Sequence, residues 1–199
     1  MDDFPIETHP FAPVLPPHAR VMMMGTFPPA AAKRCMAFHY PNFQNDMWRI
    51  YGLVFFNDAG YFQVAGEKRF DAGKIRDFLM AHNIALCPTV RRAVRERGNA
   101  SDKFLRIVEP VDLGAVLAQL PDCRWLFTTG GKATETLLSL LEPAPPMPPV
   151  NQAVAFDYHG RHLQLCRLPS SSRAYPLALA AKAAAYRVFF ERSGVLPLS

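Results

Sequence analysis

Long apolar runs are missing from this 199-residue chain. No stretch approaches the roughly 18 continuous apolar residues of a membrane-crossing helix, so no membrane association is expected. The basic start of a secretory signal is missing too: the opening MDDFPIETHPF is acidic, which predicts a cytoplasmic protein. Cysteine is scarce. Cys35, Cys87, Cys123 and Cys166 lie dozens of residues apart without a C-x-x-C pair, which argues against a zinc ribbon. Three of them sit in apolar runs that read as strands, so buried, reduced thiols are expected and neither a metal nor a cofactor. Charge of one sign is also limited. Lys and Arg number 22 against 17 Asp and Glu, and the formal charge of +5 accommodates a polyanionic partner without demonstrating one. There is no internal repeat. What the chain has is core material: 50% apolar and 20% charged residues describe one domain spanning 1–199. Its first 18 residues, with Pro5, Pro10, Pro13, Pro16 and Pro17, are expected to lie extended across the body.

Four apolar runs read as strands: 20–24, 84–88, 124–128 and 162–168. Helical periodicity fills the intervals at 45–56, where Met47, Ile50, Tyr51 and Val54 share a face, and at 72–82, where Ile75, Phe78 and Leu79 do. Segments 114–120 and 133–141 supply further crossovers, and an alanine-rich helix is expected over 176–192, with Pro176 in its first turn and Ser172 as a candidate cap. Strand and helix in alternation predict a three-layer α/β/α sandwich around a mainly parallel four-stranded sheet. Two segments break the rhythm. EPAPPMPPV, residues 142–150, reads as a stiff surface connector, and His159-Gly160 between two strand-like runs reads as a hairpin turn.

The chemistry concentrates in 19–50, ARVMMMGTFPPAAAKRCMAFHYPNFQNDMWRI. Val21 to Met24 are apolar without alternation, as in a strand covered on both faces. The run empties into Gly25-Thr26-Phe27-Pro28-Pro29, where glycine permits close approach of the backbone and two prolines stiffen the loop. His39, Tyr40, Asn42, Gln44, Asn45 and Asp46 follow closely enough to supply polar and stacking groups at that strand end. The pattern suits a pocket for a flat polar ring; core packing is the alternative for Phe38, Tyr40, Phe43 and Trp48.

A parallel sheet collects its strand ends along one edge, so three other loops belong to the same neighbourhood. One is Cys87-Pro88-Thr89. Another, Thr128-Thr129-Gly130-Gly131-Lys132, is either an anion site at a helix start or a tight strand-to-helix turn, and it lacks the rest of a nucleotide P-loop. The last, Leu168-Pro169-Ser170-Ser171-Ser172-Arg173, offers hydroxyls and amides to a backbone phosphate and Leu168 or Arg173 to a groove, unless Ser172 merely caps a helix.

Taken in order, these segments resemble the uracil-DNA glycosylase superfamily over most of the chain. The resemblance rests on the strand with its GTFPP turn, the aromatic segment running to Asn45-Asp46-Met47-Trp48, and the serine-rich loop before the last helix. It is nearest to the hypoxanthine-DNA and mismatch-specific uracil glycosylase-like branches. The resemblance implies that Gly25, Thr26, Phe27 and Pro28 cradle an extruded base, that Phe38 or Tyr40 stacks on it with Asn42 nearby, and that Asn45 is the catalytic or water-positioning amide. Ser170, Ser171, Ser172 and Arg173 become the loop that enters the duplex. Thr26 and Phe27 depart from the family, several branches of which carry Asp, Asn or Gln there; the burden shifts to Asn45, with Asn42 and Asp46 as rivals.

Cleaving an N-glycosidic bond leaves negative charge on the departing base and positive charge on the sugar, so donors aimed at a base carbonyl and a held water lower the barrier. Asp46 is either a general base or a first-turn helix carboxylate favoured by the dipole. Arg91, Arg92, Arg95 and Arg97, then Asn99, Ser101 and Lys103, form the densest basic segment, read as a salt-sensitive DNA grip or as a solvated helix face. Lys132 joins the expected DNA contacts. The implied protein is a monomeric, monofunctional DNA glycosylase acting on uracil or hypoxanthine after base flipping. The alternatives are a catalytically silent nucleic-acid binder and a small-molecule nucleoside hydrolase.

Overall fold

The computed structural model describes residues 4–96 and 102–199. Its central sheet contains β2 (Val21–Met24), β3 (Ile84–Leu86), β6 (Trp125–Thr129), β7 (Ala153–Tyr158) and β8 (Arg161–Leu168), in the order β3-β2-β6-β8-β7. The four expected strands are its parallel part, and β7 adds an antiparallel edge through the expected hairpin. His159 and Gly160 turn that hairpin with φ of 45° and 74°, the left-handed pair that matches strand twist.

Two-sided burial follows the apolar run closely. All four β2 residues are buried, Val21 and Met23 in one core cluster and Met22 and Met24 in the other. The first cluster takes in α1 (Met47–Phe56), α2 (Ala72–Ala81) and α5 (Leu179–Arg192), and the second α3 (Leu113–Ala118) and α4 (Gly131–Leu138). Helices therefore cover both faces of the sheet, as the alternating pattern requires. Asp71 and Asp112 start α2 and α3 by accepting the backbone N–H of Lys74 at 3.0 Å and of Ala115 at 2.9 Å. The last helix differs from expectation. It begins at Leu179 after an Ala178 N-cap that makes no side-chain cap bond, and Ser172 lies several residues upstream, its hydroxyl accepting the Ala174 N–H.

A second sheet was not legible. β1 (Ile6–Thr8), β4 (Val90–Arg95) and β5 (Leu105–Pro110) form a three-stranded antiparallel sheet in the order β1-β4-β5. Val90, Ala93 and Leu105 form its small core, with Phe27 and Ile107 packed against them. The segment carrying Arg91, Arg92 and Arg95 is thus a strand and not a helix, irregular in register around Arg92, with Arg91 exposed, Arg92 half-buried and Arg95 buried. Within the N-terminal segment β1 pairs with β4, and Val14 bridges to Leu86. Among the described residues no helix is long and apolar enough to cross a membrane.

The order of strands places the site. After β2 the chain builds β3 on one side and later β6 on the other, so the sheet reverses direction around β2 and leaves a crevice at the carboxyl ends of the parallel strands.

Candidate functional site

A cavity of about 500 Å³ opens in that crevice. Its walls come from the ends of the parallel strands: Gly25 to Pro29 after β2, Pro88 after β3, Thr129 at β6, and Ser170 to Ser172 after β8. Tyr40, Asn42 and Asn45 close it from the segment that leads into α1. The proline turn and the downstream carboxamide therefore face the same space.

Each wall is held by identifiable bonds. The Gly25 carbonyl accepts from both the backbone N–H of Thr89 at 2.8 Å and its hydroxyl at 2.9 Å. Arg95, buried beneath the turn, donates to the Pro28 carbonyl at 2.8 Å and pairs with Glu7 at 3.0 Å, with its guanidinium 5.6 Å from the Phe27 ring centre. It is a strut for the turn and not an exposed DNA contact. Tyr40, in the left-handed region at φ 52°, bonds Thr129 Oγ1 through its hydroxyl at 3.0 Å. This close approach explains Gly25: a Cβ there stands 2.5 Å from Tyr40 Oη.

The two cavity amides are presented alike. Asn42 Oδ1 accepts the N–H of Gln44, and Asn45 Oδ1 that of Met47, each at 2.9 Å. Since a backbone N–H can only donate, both amides are pinned by their oxygens, and their Nδ2 groups have no partner among the described residues. No carboxylate lines the cavity among the described residues.

Two histidines share the wall. His39 Nε2–H donates to the Ala12 carbonyl at 2.8 Å, which leaves Nδ1 as an acceptor in the neutral ring. His9 arrives on the N-terminal arm, 5.4 Å from His39 and edge-on to Phe27 at 5.4 Å between centroids. Burial pushes both down to about 4, with mutual repulsion of the two rings adding to the effect on His9. Both are neutral at physiological pH. The sign for stability follows: between about 6.5 and about 4 the unfolded chain takes up protons that the folded one refuses, so stability falls as pH drops through that window. Each ring contributes at most ~1.4 kcal/mol per pH unit. Melting temperature measured from neutral pH down to about pH 4.5 is expected to decline, and less steeply in His39→Gln; equal slopes contradict buried neutral rings.

The cavity thus gathers Gly25, Thr26, Phe27, Pro28, Tyr40, Asn42, Asn45, Ser170, Ser171 and Ser172. Other expectations need correction. Phe38 is 1% exposed and packs on Trp48 and beneath Arg76, away from the wall. Asp46 is also off the wall: it is buried, with Lys182 Nζ at 3.0 Å and Arg173 Nη2 at 3.5 Å, so a general base drawing on a cavity water does not fit it. Arg173 is exposed at the loop's outer side. Arg91 and Arg92 stand on β4, both within 3.6 Å of Glu109, which offsets part of their charge. Lys103 is exposed and lies 5.6 Å from the Phe104 ring, while half-buried Lys132 starts α4. Ser101, like Arg97 and Asn99, lies outside the described residues.

His9 is the wall residue that the sequence did not reveal; a histidine in a proline-rich arm carries no local periodicity or motif, and only β1 pairing brings it to the crevice. All four cysteines are free, and burial pushes the Cys87 thiol up to about 12 and those of Cys123 and Cys166 up to about 11, consistent with inert core thiols.

No protein-family model matches the chain, and no curated protein matches it. Solved structures do. One is the solution NMR structure of a putative uracil DNA glycosylase from Methanosarcina acetivorans, 20% identical, which superposes with a TM-score of 0.65 over 95% of this chain and 99% of that one. The α/β/α sandwich described above, with its crevice at the parallel strand ends, therefore has the fold of that structure.

Proposed function

We propose that the protein is a DNA glycosylase that hydrolyses the N-glycosidic bond of a flipped-out deaminated or mismatched base, uracil or hypoxanthine. One observation carries this reading: the Gly25–Pro29 turn, Tyr40, Asn45 and the serine loop line one cavity, with Asn45 held through its Oδ1. The fold likeness supports it, since the structure compared is a putative uracil DNA glycosylase.

In this reading the base enters between the turn and Tyr40, and the Nδ2 donors of Asn45 and Asn42 meet its carbonyl oxygens. The C1′–N bond breaks with its electron pair on the base, where negative charge collects on those oxygens. Two amide donors fixed in advance stabilise that charge more than the neutral ground state. Water then bonds to C1′ and its proton passes to the base. With no carboxylate on the cavity walls among the described residues, the reaction relies on stabilising the leaving group, not on a strong base activating water. Extruding the nucleotide costs a few kcal/mol of stacking and pairing, offset by phosphate contacts from Ser170, Ser171, Ser172, Arg173 and, farther out, Lys132, Lys103, Arg91 and Arg92.

The test uses purified protein, duplex and single-stranded oligonucleotides bearing uracil, hypoxanthine, xanthine or a thymine mismatch, and alkaline cleavage of abasic sites. Strand scission at uracil or hypoxanthine is the expected result. Thr26 and Phe27 in place of an Asp, Asn or Gln favour one second reading, a silent nucleic-acid binder, for which tight, salt-sensitive binding without scission is diagnostic. Release of base from free nucleosides, indifferent to salt, identifies a nucleoside hydrolase instead.

A further inference from the structure

A positive charge is buried where helix electrostatics disfavour it. Lys182 lies in the first turn of α5, the positive end of that helix's dipole, and is only 1% exposed. Burying an ammonium is unfavourable unless partners replace its water. Here the partners are specific: Nζ donates to Asp46 Oδ2 at 3.0 Å and to the Ser172 carbonyl at 2.8 Å. Asp46 in turn donates its own backbone N–H to the Ser171 carbonyl at 2.9 Å and offers Oδ1 to Arg173 at 3.5 Å. One lysine thus ties three pieces together: the N-terminus of α5, the serine loop, and the residue directly after Asn45.

We propose that Lys182, through Asp46, is a positioning residue that fixes the serine loop against the Asn45 amide, so that a phosphate held by the loop places the glycosidic bond within reach of that amide. The inference rests on the glycosylase reading above. Lys182 and Asp46 themselves stay off the cavity wall. Core stability alone does not account for the arrangement, because an apolar pair of similar volume fills such a site with equal or greater stability. A misplacement near 1 Å in a reacting geometry lowers rates about 10²-fold, which is the scale on which such a tie acts.

The test compares three variants with wild type: Lys182→Met, Asp46→Asn, and the apolar pair Lys182→Met with Asp46→Leu. Single-turnover base release and duplex affinity are measured below each variant's melting temperature. The expected result is base release slowed about 10- to 100-fold in all three, with affinity little changed and the apolar pair as stable as wild type or more so. If Lys182→Met does not fold, Asp46→Asn, which keeps the side chain's shape, and the apolar pair carry the test. Wild-type rates in the apolar pair overturn the proposal and assign Lys182 to packing. Wild-type protein that releases no base from any oligonucleotide overturns the glycosylase reading, and this assignment with it.

Discussion

Asn45→Ala is expected to slow base release ~10²–10³-fold, the range found when one preorganised donor is removed from a developing anion. Duplex affinity should change little, because the serine loop and the basic side chains remain. The side chain has a second duty, since Oδ1 accepts the Met47 N–H at 2.9 Å beside the start of α1. Losing that bond lowers stability by about 1 kcal/mol, a change visible in melting but too small to explain the rate. Asn45→Asp separates the two duties. A carboxylate still accepts from Met47 but has no N–H to donate, and it brings charge into a cavity whose walls carry no carboxylate among the described residues. If the amide acts by donating to the base, Asn45→Asp is as slow as Asn45→Ala. If it acts by holding water through an acceptor, Asn45→Asp keeps much of the activity. The pinned oxygen predicts the first outcome.

The second large effect belongs to Gly25→Ala. The added methyl carbon stands 2.5 Å from Tyr40 Oη and 3.2 Å from its Cζ, well inside van der Waals contact. Tyr40 has little freedom to yield, since its backbone sits at φ 52° and its hydroxyl is bonded to Thr129 at 3.0 Å. Nor does the glycine backbone, with two bonds from Thr89 on its carbonyl. The collision must move the ring into the cavity or pull the turn off the sheet, at about 1–3 kcal/mol of stability. Base release should fall ~10²-fold through misplacement of the base. Kinetics together with thermal melting check both numbers. A variant that keeps wild-type rate shows that Tyr40 does not border the bound base. Tyr40→Phe is the companion: it removes the hydroxyl that the new methyl strikes, so part of the lost stability returns in the double variant.

The central layer was legible because burial leaves a plain mark on composition. Val21 to Met24 and the runs near 84 and 125 lack polar alternation, and residues covered on both faces of a parallel sheet have no reason to alternate; the run near 162 reads as a strand by alternation instead, with buried Leu163 and Leu165 alternating with His162 and Gln164. The crevice is legible for a related reason: a parallel sheet brings strand ends together, so four loops far apart in sequence line one cavity. The second sheet was not. Val90 to Arg95 carries arginines whose exposed side suggested a helix, and its partners lie at Ile6–Thr8 and Leu105–Pro110, a pairing with no local signature. Arg95 illustrates the cost. It looks like part of a basic patch, yet it is buried and turned to Pro28 and Glu7, where it braces the Gly25–Pro29 turn. Asp46 was misread for the opposite reason. Its position before α1 suggested solvent or water, while the lysine that claims it lies 136 residues downstream.

The most direct test is a crystal structure of the protein with a duplex carrying a 2′-fluoro deoxyuridine or deoxyinosine, whose glycosidic bond resists cleavage. A base swung out of the stack, lodged between Gly25–Pro29 and the Nδ2 group of Asn45 and edged by Ser170 to Ser172, is the predicted result. A target nucleotide still stacked in the helix, or DNA lying across another face with the crevice empty, contradicts it.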